Sequence, residues 1–250
     1  MTALTNRVAL VTGASMGIGA GLAVMLAAEG ARVVLAARRR DELEQVAKDI
    51  RRDGGTAVPV VTDLTDDDSL ARLLATTRAE LGAVDVLVNN AGYAIWKPLE
   101  ATTITEWDHT FAVNVRAAAY LCGAVLPGMQ ARGFGRIINI ASLQSVRAFA
   151  DSGPYGASKG GVMQLTRAQA QAWSVKGVNA NAIAPGFFRT PLTAPVAADP
   201  VLWERNAART FIGRNGEMPD LAGTAIFLAS RASNYVTGQT IFVDGGFSAG

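Results

Sequence analysis

The 250-residue sequence contains a single cysteine, Cys122, and a single histidine, His109. One cysteine cannot form an internal disulfide or a cysteine metal cluster, and one histidine cannot build a histidine-rich metal site. We therefore expect no metal site. Cys122 is expected to lie buried between helices, where a thiol behaves as a small apolar side chain. His109 is expected to be solvated near the start of a helix.

The chain also lacks strong charge, a targeting segment and a membrane span. Its net charge of +2, from 23 basic and 21 acidic residues, is too small to indicate a nucleic acid partner. A strand pattern follows Arg7 at once, so we expect no signal peptide. The uncharged run from Val8 to Ala28 is long enough for a membrane span, but the glycines between Gly13 and Gly21 interrupt it. These features predict a soluble, cytoplasmic protein without a membrane partner.

What the chain does have is a regular alternation of strand and helix patterns. Short apolar runs typical of strands buried on both faces are separated by helical patterns. The predicted strands are Val8–Thr12, Arg32–Ala36, Ala57–Val61, Val84–Val88, Gly135–Ile140, Val178–Ile183 and Thr240–Val243. A long helix is predicted from Glu106 to about Arg132, and an irregular, mobile segment from Phe188 to about Gly213. Because no linker or change in composition interrupts this alternation, residues 1–250 are predicted to form one doubly wound α/β domain.

A glycine-rich turn follows the first predicted strand. Gly13, Gly17 and Gly19 have the spacing G-x-x-x-G-x-G, and a helical pattern begins directly after them. Glycines let the backbone approach a pyrophosphate closely, and the N–H groups at a helix N-terminus attract its negative charge. The spacing alone would also fit an ordinary glycine-rich turn. The strand before it and the helix after it favour a dinucleotide site.

Arginines follow the second predicted strand, where a dinucleotide fold meets the adenosine ribose. An acidic residue there would bind the 2′-hydroxyl of NAD, but this chain has Ala37 followed by Arg38 and Arg39. A guanidinium binds phosphate through two donors, as the 2′-phosphate of NADP requires. The alternative is a solvated basic helix start, although positive charge there opposes the helix dipole. The pattern predicts NADP(H) as the cofactor, with NAD(H) as a possible substitute.

Tyr155 and Lys159 are four residues apart, so on a helix they lie on one face, one turn apart. An ammonium near a phenol favours the phenolate and should lower the pKa of the tyrosine. Such a phenol could transfer a proton to a carbonyl or from an alcohol nearer neutral pH. The pair alone could also be an exposed tyrosine and a solvated lysine.

Together these motifs resemble the short-chain dehydrogenase/reductase family over about residues 6 to 246. The resemblance is carried by Thr12-Gly-x-x-x-Gly17-x-Gly19, Asp63, Asn89-Asn-Ala-Gly92, Asn114, Ser142, Tyr155-x-x-x-Lys159 and Pro185-Gly186. It implies a Rossmann-like domain with a seven-stranded parallel sheet, an NAD(P) cofactor and a homotetramer. The implied reaction is the interconversion of a ketone and a secondary alcohol.

The resemblance also implies roles for individual residues. Tyr155 would be the acid/base, Ser142 would hold the carbonyl oxygen, and Lys159 would lower the pKa of the tyrosine and bind the nicotinamide ribose. Asn114 would hold a water that relays protons to Lys159. The implied cofactor-binding residues are Gly13, Ser15, Met16, Gly17, Ile18, Gly19, Arg38, Arg39, Asp63, Leu64, Asn90, Ala91, Gly92, Tyr155, Lys159, Pro185, Gly186, Phe188 and Thr190.

In that list, Asp63 would accept from the adenine amine, Asn90 would contact a ribose and Thr190 would bind the carboxamide. The chain departs from the family pattern at several positions, and one of them concerns the cofactor. Met16 stands where many NADP-preferring relatives carry a basic residue.

Within the family, the C-terminal half most resembles gluconate 5-dehydrogenases, in Ser142-Leu-Gln-Ser and Pro185-Gly-Phe-Phe-Arg-Thr-Pro-Leu-Thr. Where such relatives carry arginines for an anionic substrate, this chain has Trp96 and Phe149. An apolar pocket with few polar groups is therefore expected. The residues expected to line it are Tyr93, Trp96, Gln144, Phe149, Phe187 and Trp203. The favoured substrate is a hydrophobic or aromatic ketone.

Several alternatives remain open from the sequence. Lys97, Arg147 and Arg189 could pair with an anion, so a sugar-acid reductase is the second hypothesis, followed by a 3-oxoacyl-carrier-protein reductase. Epimerisation or a lyase reaction on the same fold is another possibility, because fold does not fix function. A non-catalytic nucleotide-binding protein would be expected to have lost Tyr155 or Lys159, which are both present.

Overall fold

Seven strands pair side by side, all in parallel, in the computed structural model, which describes residues 2–250. They are β1 (Val8–Thr12), β2 (Arg32–Ala37), β3 (Thr56–Val61), β4 (Val86–Asn89), β5 (Gly135–Ile140), β6 (Val178–Pro185) and β7 (Thr240–Val243). Their order across the sheet is β3-β2-β1-β4-β5-β6-β7. The predicted fold, a Rossmann-like parallel sheet flanked by helices, is confirmed.

The α-helices connect these strands. They are α1 (Gly17–Ala28), α2 (Arg40–Arg52), α3 (Asp67–Glu80), α4 (Ile104–Phe111), α5 (Ala117–Ala131), α6 (Gly153–Trp173), α7 (Ala194–Ala197), α8 (Pro200–Ala208) and α9 (Ala222–Ala229). Short 3₁₀ turns lie at Leu99–Ala101, Leu143–Ser145, Ser174–Lys176, Pro191–Thr193, Met218–Leu221 and Arg231–Ser233.

Both faces of the sheet are covered, as the continuous apolar runs of its strands require. Alternate residues of β1 enter different cores: Ala9 packs with Leu22 of α1 on one face, and Leu10 packs with Leu121 of α5 on the other. Each fully buried leucine contributes about 2 kcal/mol relative to an exposed one. The two cores hold the strands rigidly, so that their carboxyl ends form one fixed edge.

The long helix predicted from Glu106 to Arg132 is present but is not uniform. It runs from Ile104 to Ala131, and a π-helical turn at Ala112–Arg116 separates α4 from α5. Thr103 and Glu106 form a capping box at its start. By length and composition alone this helix could cross a bilayer, but the buried side of α5 packs into the core beneath the sheet.

Several local predictions were wrong. The spacing of Thr65 and Asp68 predicts a capping box at the start of α3, but the cap is Asp66, whose carboxylate accepts from the N–H of Asp68, because the Thr65 hydroxyl instead donates to Asp63. β6 extends two residues beyond Ile183, because β7 continues to pair with it through Pro185.

The third difference lies in the segment after Phe188, which was predicted to be irregular. It contains α7 and α8, and the carboxylate of Asp199 caps α8 by accepting from the N–H groups of Val201 and Leu202. Prolines stand in the first turns of both helices, where proline's lack of an N–H costs no hydrogen bond, because N–H groups there have no acceptor within the helix. Mobility of residues 188–213 stays a prediction.

Candidate active site

One cavity of about 780 Å³ opens at the carboxyl ends of the strands. This is where parallel α/β sheets bind their ligands, and the volume lies in the range of small-molecule sites. Most residues predicted for the site line it, including Ser142, Tyr155, Lys159, Arg38 and Asp63. Of the predicted site residues, Gly19, Asn114 and Trp203 do not line it within the described chain.

The glycine turn at one end of the cavity is held by Asn90. The Asn90 amide nitrogen donates to the carbonyls of Thr12 (2.9 Å) and Gly13 (3.3 Å). A side chain at Gly13 would lie 2.8 Å from Asn90 Nδ2, and Gly13 has a left-handed φ of +66°. Gly19 lies behind the turn, where a Cβ would overlap the Gly13 carbonyl. The predicted ribose contact of Asn90 stays a prediction, since its amide nitrogen is engaged here.

Thr12 is a structural residue of the site for which we predicted no role. Its hydroxyl oxygen accepts from the N–H groups of Asn90 and Ala91, both at 3.1 Å. It is also 2% exposed. In the sequence, this role is indicated by a hydroxyl side chain at the end of an otherwise apolar strand. Together, Thr12 and Asn90 join the ends of β1 and β4 into one rigid floor.

The arginines after β2 line the cavity, and one of them contacts Met16. The guanidinium of Arg39 reaches across to the Met16 sulfur and also pairs with Glu42 at 3.3 Å. Arg39 therefore brings a cation to the place where Met16 itself carries none. Arg38 is exposed and has no side-chain partner among the described residues. Both guanidiniums are positioned to bind a phosphate.

Asp63 lies at the same end of the cavity. Its carboxyl pKa is lowered from the ordinary value, first by the N–H of Thr65, then by the Thr65 hydroxyl, and also by the charges of Arg38 and His109. Both Thr65 contacts use Oδ1, at 2.8 and 2.7 Å. The other carboxylate oxygen has no partner in the described chain and can accept from a ligand.

Tyr155 and Lys159 lie side by side on α6 and are both buried, with 7% and 3% of their surface exposed. The Lys159 ammonium donates a 2.6 Å hydrogen bond to the carbonyl of Ile140. Its nitrogen is 5.7 Å from the centre of the Tyr155 ring. Ser142 also lines the cavity, and its hydroxyl lies near enough to act on the phenol of Tyr155.

The expected effect of Lys159 on the tyrosine was wrong for this structure. Burial raises the pKa of Tyr155 to about 12, and the Ser142 hydroxyl offsets only part of the rise. Burial lowers the pKa of Lys159 to about 8. Desolvation disfavours both charged forms and is the largest cause of both shifts. Tyr155 is therefore a neutral phenol near pH 7, which is the state that donates a proton.

Asn114 occupies the π-helical turn and supports the site from behind. Its oxygen accepts from the N–H of Tyr93 (2.8 Å), and its nitrogen donates to the carbonyl of Tyr93 (3.0 Å) and the hydroxyl of Ser158 (2.8 Å). The side chain of Asn114 thus fixes the segment after β4. Gly92 in this segment lies close to the site: a methyl group there would be 3.8 Å from Lys159 Nζ and 3.9 Å from Asn114 Oδ1. A relay water at Asn114 stays a prediction.

Aromatic rings line the opposite end of the cavity. Trp96 lies 6.4 Å from the Tyr155 ring, and Phe149 lies 6.2 Å from Phe187, measured between ring centres. Of the predicted pocket residues, Trp203 is the exception. Its ring stacks beneath the guanidinium of Arg189 at 4.6 Å instead.

His109 was predicted to be solvated near the start of a helix, and it is partly exposed there. It lies in the last turn of α4, lines the cavity, and packs edge-on against Tyr93 with 4.6 Å between ring centres. The position of His109 along α4 does not predict this contact, because the contact depends on how the fold brings Tyr93 against the helix. Cys122 is fully buried as expected, and burial raises the pKa of its thiol to about 12.

The three cations considered for an anionic substrate are all engaged elsewhere. Lys97 pairs with Glu106 at 2.6 Å. Arg147 donates to the carbonyls of Ser248 and Gly250, and Arg189 lies over Trp203. None of the three lines the cavity in the described chain.

A parallel α/β sheet, a glycine turn at its first strand and a buried tyrosine–lysine pair beside a serine are the features of a Rossmann-type oxidoreductase. Comparison with known proteins agrees. The family model described as Enoyl-(Acyl carrier protein) reductase matches residues 13–248. The chain belongs to the short-chain dehydrogenase/reductase family.

Individual relatives are similar over their full lengths. Gluconate 5-dehydrogenase of Gluconobacter oxydans is 40% identical over 98% of this chain and 96% of its own. Cis-4-hydroxycyclohexanecarboxylate dehydrogenase of Sinomonas cyclohexanicum is 41% identical, covering 99% and 98%. The crystal structure of a gluconate 5-dehydrogenase from Burkholderia cenocepacia, in complex with NADP and tartrate, superposes with a TM-score of 0.94 at 39% identity, covering 99% and 97%.

Proposed function

We propose that the protein interconverts a hydrophobic or aromatic ketone and the matching secondary alcohol, with NADP(H) as cofactor. The observation that carries this proposal is the composition of the cavity wall beside Tyr155. Trp96, Phe149 and Phe187 lie there, and Lys97, Arg147 and Arg189 are engaged outside it. A buried apolar group gains about 1.5–3 kcal/mol from such surroundings, whereas the hydroxyls of a sugar acid would be left without partners.

The residues at the other end fit a phosphorylated dinucleotide. The glycine turn offers backbone N–H groups with no side chain in front of them, and α1 begins at Gly17 with its positive end toward the cavity. Arg38 and Arg39 would hold the 2′-phosphate through charged hydrogen bonds. Asp63 would accept from the adenine amine. The NADP complex of a relative with 39% identity supports this assignment.

When bound, the nicotinamide supplies the hydride for reduction; the residues of this chain supply the proton and the orientation. Tyr155, neutral at pH 7, would donate its phenolic proton to the carbonyl oxygen. Ser142 would donate a hydrogen bond to the same oxygen and keep it near the phenol. Lys159 would bind the nicotinamide ribose from its fixed position on the Ile140 carbonyl. In the reverse direction the phenolate would accept the proton of the alcohol.

The second candidate is reduction of a sugar acid. It is favoured by the similarity to the gluconate 5-dehydrogenases, at 39 and 40% identity. The aromatic wall argues against it. The relative named for a hydroxycyclohexanecarboxylate suggests an intermediate case, in which a carboxylate is attached to an apolar ring. Such a substrate belongs in any test.

The experiment that tests the reaction class measures loss of NADPH absorbance. Purified protein is mixed with NADPH and, separately, with aryl ketones, long alkyl ketones and 5-ketogluconate, and NADH is compared under the same conditions. Turnover of ketones with NADPH supports the proposal. Consumption of no ketone, combined with isomerised or cleaved product, would point to non-redox chemistry on this fold.

We also propose a cytoplasmic homotetramer. The helices that carry Asn114 and Tyr155 present partly exposed apolar residues, among them Phe111, Tyr120 and Met163. A second copy related by a two-fold axis could bury such faces. Light scattering at micromolar concentration tests this, and a monomer would contradict it.

A further inference from the structure

A turn built around the buried Phe247 lies behind the aromatic wall and has no role in the proposed reaction. It comprises residues 244–250 and is called here the 244–250 turn. Its geometry is well defined: the Asp244 carboxylate accepts from the N–H groups of Gly246 (3.0 Å) and Ser248 (2.9 Å), and Gly245 and Gly246 both have positive φ. Phe247 at its centre is 3% exposed.

The turn contacts three segments, two of which line the substrate end of the cavity. The first is the segment after β6: the ring of Phe247 lies 5.6 Å from that of Phe187, which in turn lies 6.2 Å from Phe149. Phe187 and Phe149 line the cavity, whereas Phe247 does not within the described chain. Phe247 therefore supports the wall from the side away from the substrate.

The second segment follows Ser142. Arg147 donates to the carbonyls of Ser248 and Gly250, so the stretch between the predicted catalytic serine and Phe149 is tied to the turn.

The third segment follows α8. The N–H groups of Phe211 and Ile212 donate to the carbonyl of Gly245 at 2.8 and 3.2 Å, and the guanidinium of Arg209 lies 4.2 Å from the centre of the Phe247 ring. Three segments that are distant in sequence thus converge on the 244–250 turn, and two of them contact the ring of Phe247 itself.

We propose that Phe247 is a positioning residue that determines substrate size, by holding Phe187 and Phe149 against the substrate end of the cavity. This inference rests on the proposed ketone reductase. Without the Phe247 ring, Phe187 can retreat into the space left behind, because a core partly collapses around a deleted side chain. The pocket then widens at the end away from the cofactor. Small ketones lose contacts and bulky ones gain room.

The test compares Phe247→Ala with the unmutated protein on a phenyl ketone and on a bulkier naphthyl or diaryl ketone. We expect the ratio of kcat/KM for the bulky over the small ketone to rise about tenfold. The change should lie mainly in KM, with NADPH affinity unchanged. Phe247→Leu should restore much of the original ratio. Tyr235→Ala removes a fully exposed aromatic side chain and is the matched control, with no expected change.

Two further measurements test the inference if Phe247→Ala fails to fold or its kinetics are ambiguous. If Phe247→Ala does not fold, Arg147→Ala cuts only the tether to the turn and should shift the ratio in the same direction by a smaller factor. A crystal structure of the variant should show the Phe187 ring displaced toward position 247, whatever the substrate proves to be. An unchanged ratio with Phe187 in place would overturn the inference, even where the unmutated protein reduces ketones. Failure to reduce any ketone would instead count against the proposed function.

Discussion

The Lys159 ammonium donates a 2.6 Å hydrogen bond to the carbonyl of Ile140, the last residue of β5. This contact ties α6 to the sheet edge two residues before Ser142. It holds the lysine beside Tyr155 while burial keeps the phenol neutral. The geometry favours proton donation from Tyr155 and gives Lys159 a fixed position from which to bind a ribose.

Tyr155→Phe should abolish most turnover. The substitution removes the only phenolic proton that lies against Ser142 in the described chain and leaves the ring in place. We expect kcat to fall by ~100-fold or more, the usual scale for a positioned general acid, with nearly unchanged NADPH affinity. Steady-state kinetics and fluorescence titration measure the two quantities. A variant that keeps more than a tenth of the activity would show that another group supplies the proton.

The buried lysine should make stability depend on pH in a defined window. The folded-state pKa of Lys159 is about 8 against an ordinary value of 10.5, so the unfolded chain binds more protons than the folded chain between these values. The contribution of Lys159 to the free energy of unfolding therefore rises with pH across that window. From pH 7 to pH 9.5 the rise should be about 2 kcal/mol.

Lys159→Met isolates this effect, because the variant has no titrating group at the site. Urea unfolding of both proteins without cofactor, at pH 7 and pH 9.5, gives the difference in stability. We expect the unmutated protein to gain relative to Lys159→Met at the higher pH. A difference that is the same at both values would mean that the pKa of Lys159 is not lowered.

Arg38→Ala should weaken NADPH binding and spare NADH. Removing a guanidinium–phosphate pair costs on the order of 2 kcal/mol, which corresponds to about 30-fold in Kd. Arg39→Ala should act in the same direction, because Arg39 brings its charge over Met16. Arg40→Ala is the matched control, since Arg40 follows directly but does not line the cavity. Equal use of NADPH and NADH by the unmutated protein would refute the assignment.

Gly19→Ala should damage the cofactor end although Gly19 does not line it. A Cβ there would overlap the Gly13 carbonyl and the Asn90 amide, and overpacking of this kind costs typically ~1–3 kcal/mol. The thermal midpoint and NADPH affinity should both fall. Gly223→Ala is the helical control, because its Cβ would meet no described atom within 4 Å. A similar response of both variants would contradict the close approach at Gly19.

The sequence indicated the sheet, most strand bounds and the residues at the strand ends, because periodicity and strand-end motifs are local signals. It did not reveal how those residues contact one another. The hydrogen bonds of Asn90 to the glycine turn and the contact of Arg39 with Met16 join segments that are distant in sequence, so the local pattern does not show them. The pKa of Tyr155 was mispredicted because helical spacing reports the nearness of Lys159 but not the depth of burial. Helical and loop positions likewise did not show that Trp203 lies outside the cavity or that His109 lines it.

We propose that the substrate is a hydrophobic ketone. The value of kcat/KM with NADPH for three substrates decides this: an aryl ketone, the ketone of a cyclohexanecarboxylate and 5-ketogluconate. The aromatic wall of Trp96, Phe149 and Phe187 predicts the highest value for the aryl ketone and the lowest for the sugar acid. A higher value for 5-ketogluconate would contradict the claim and establish a sugar-acid reductase instead.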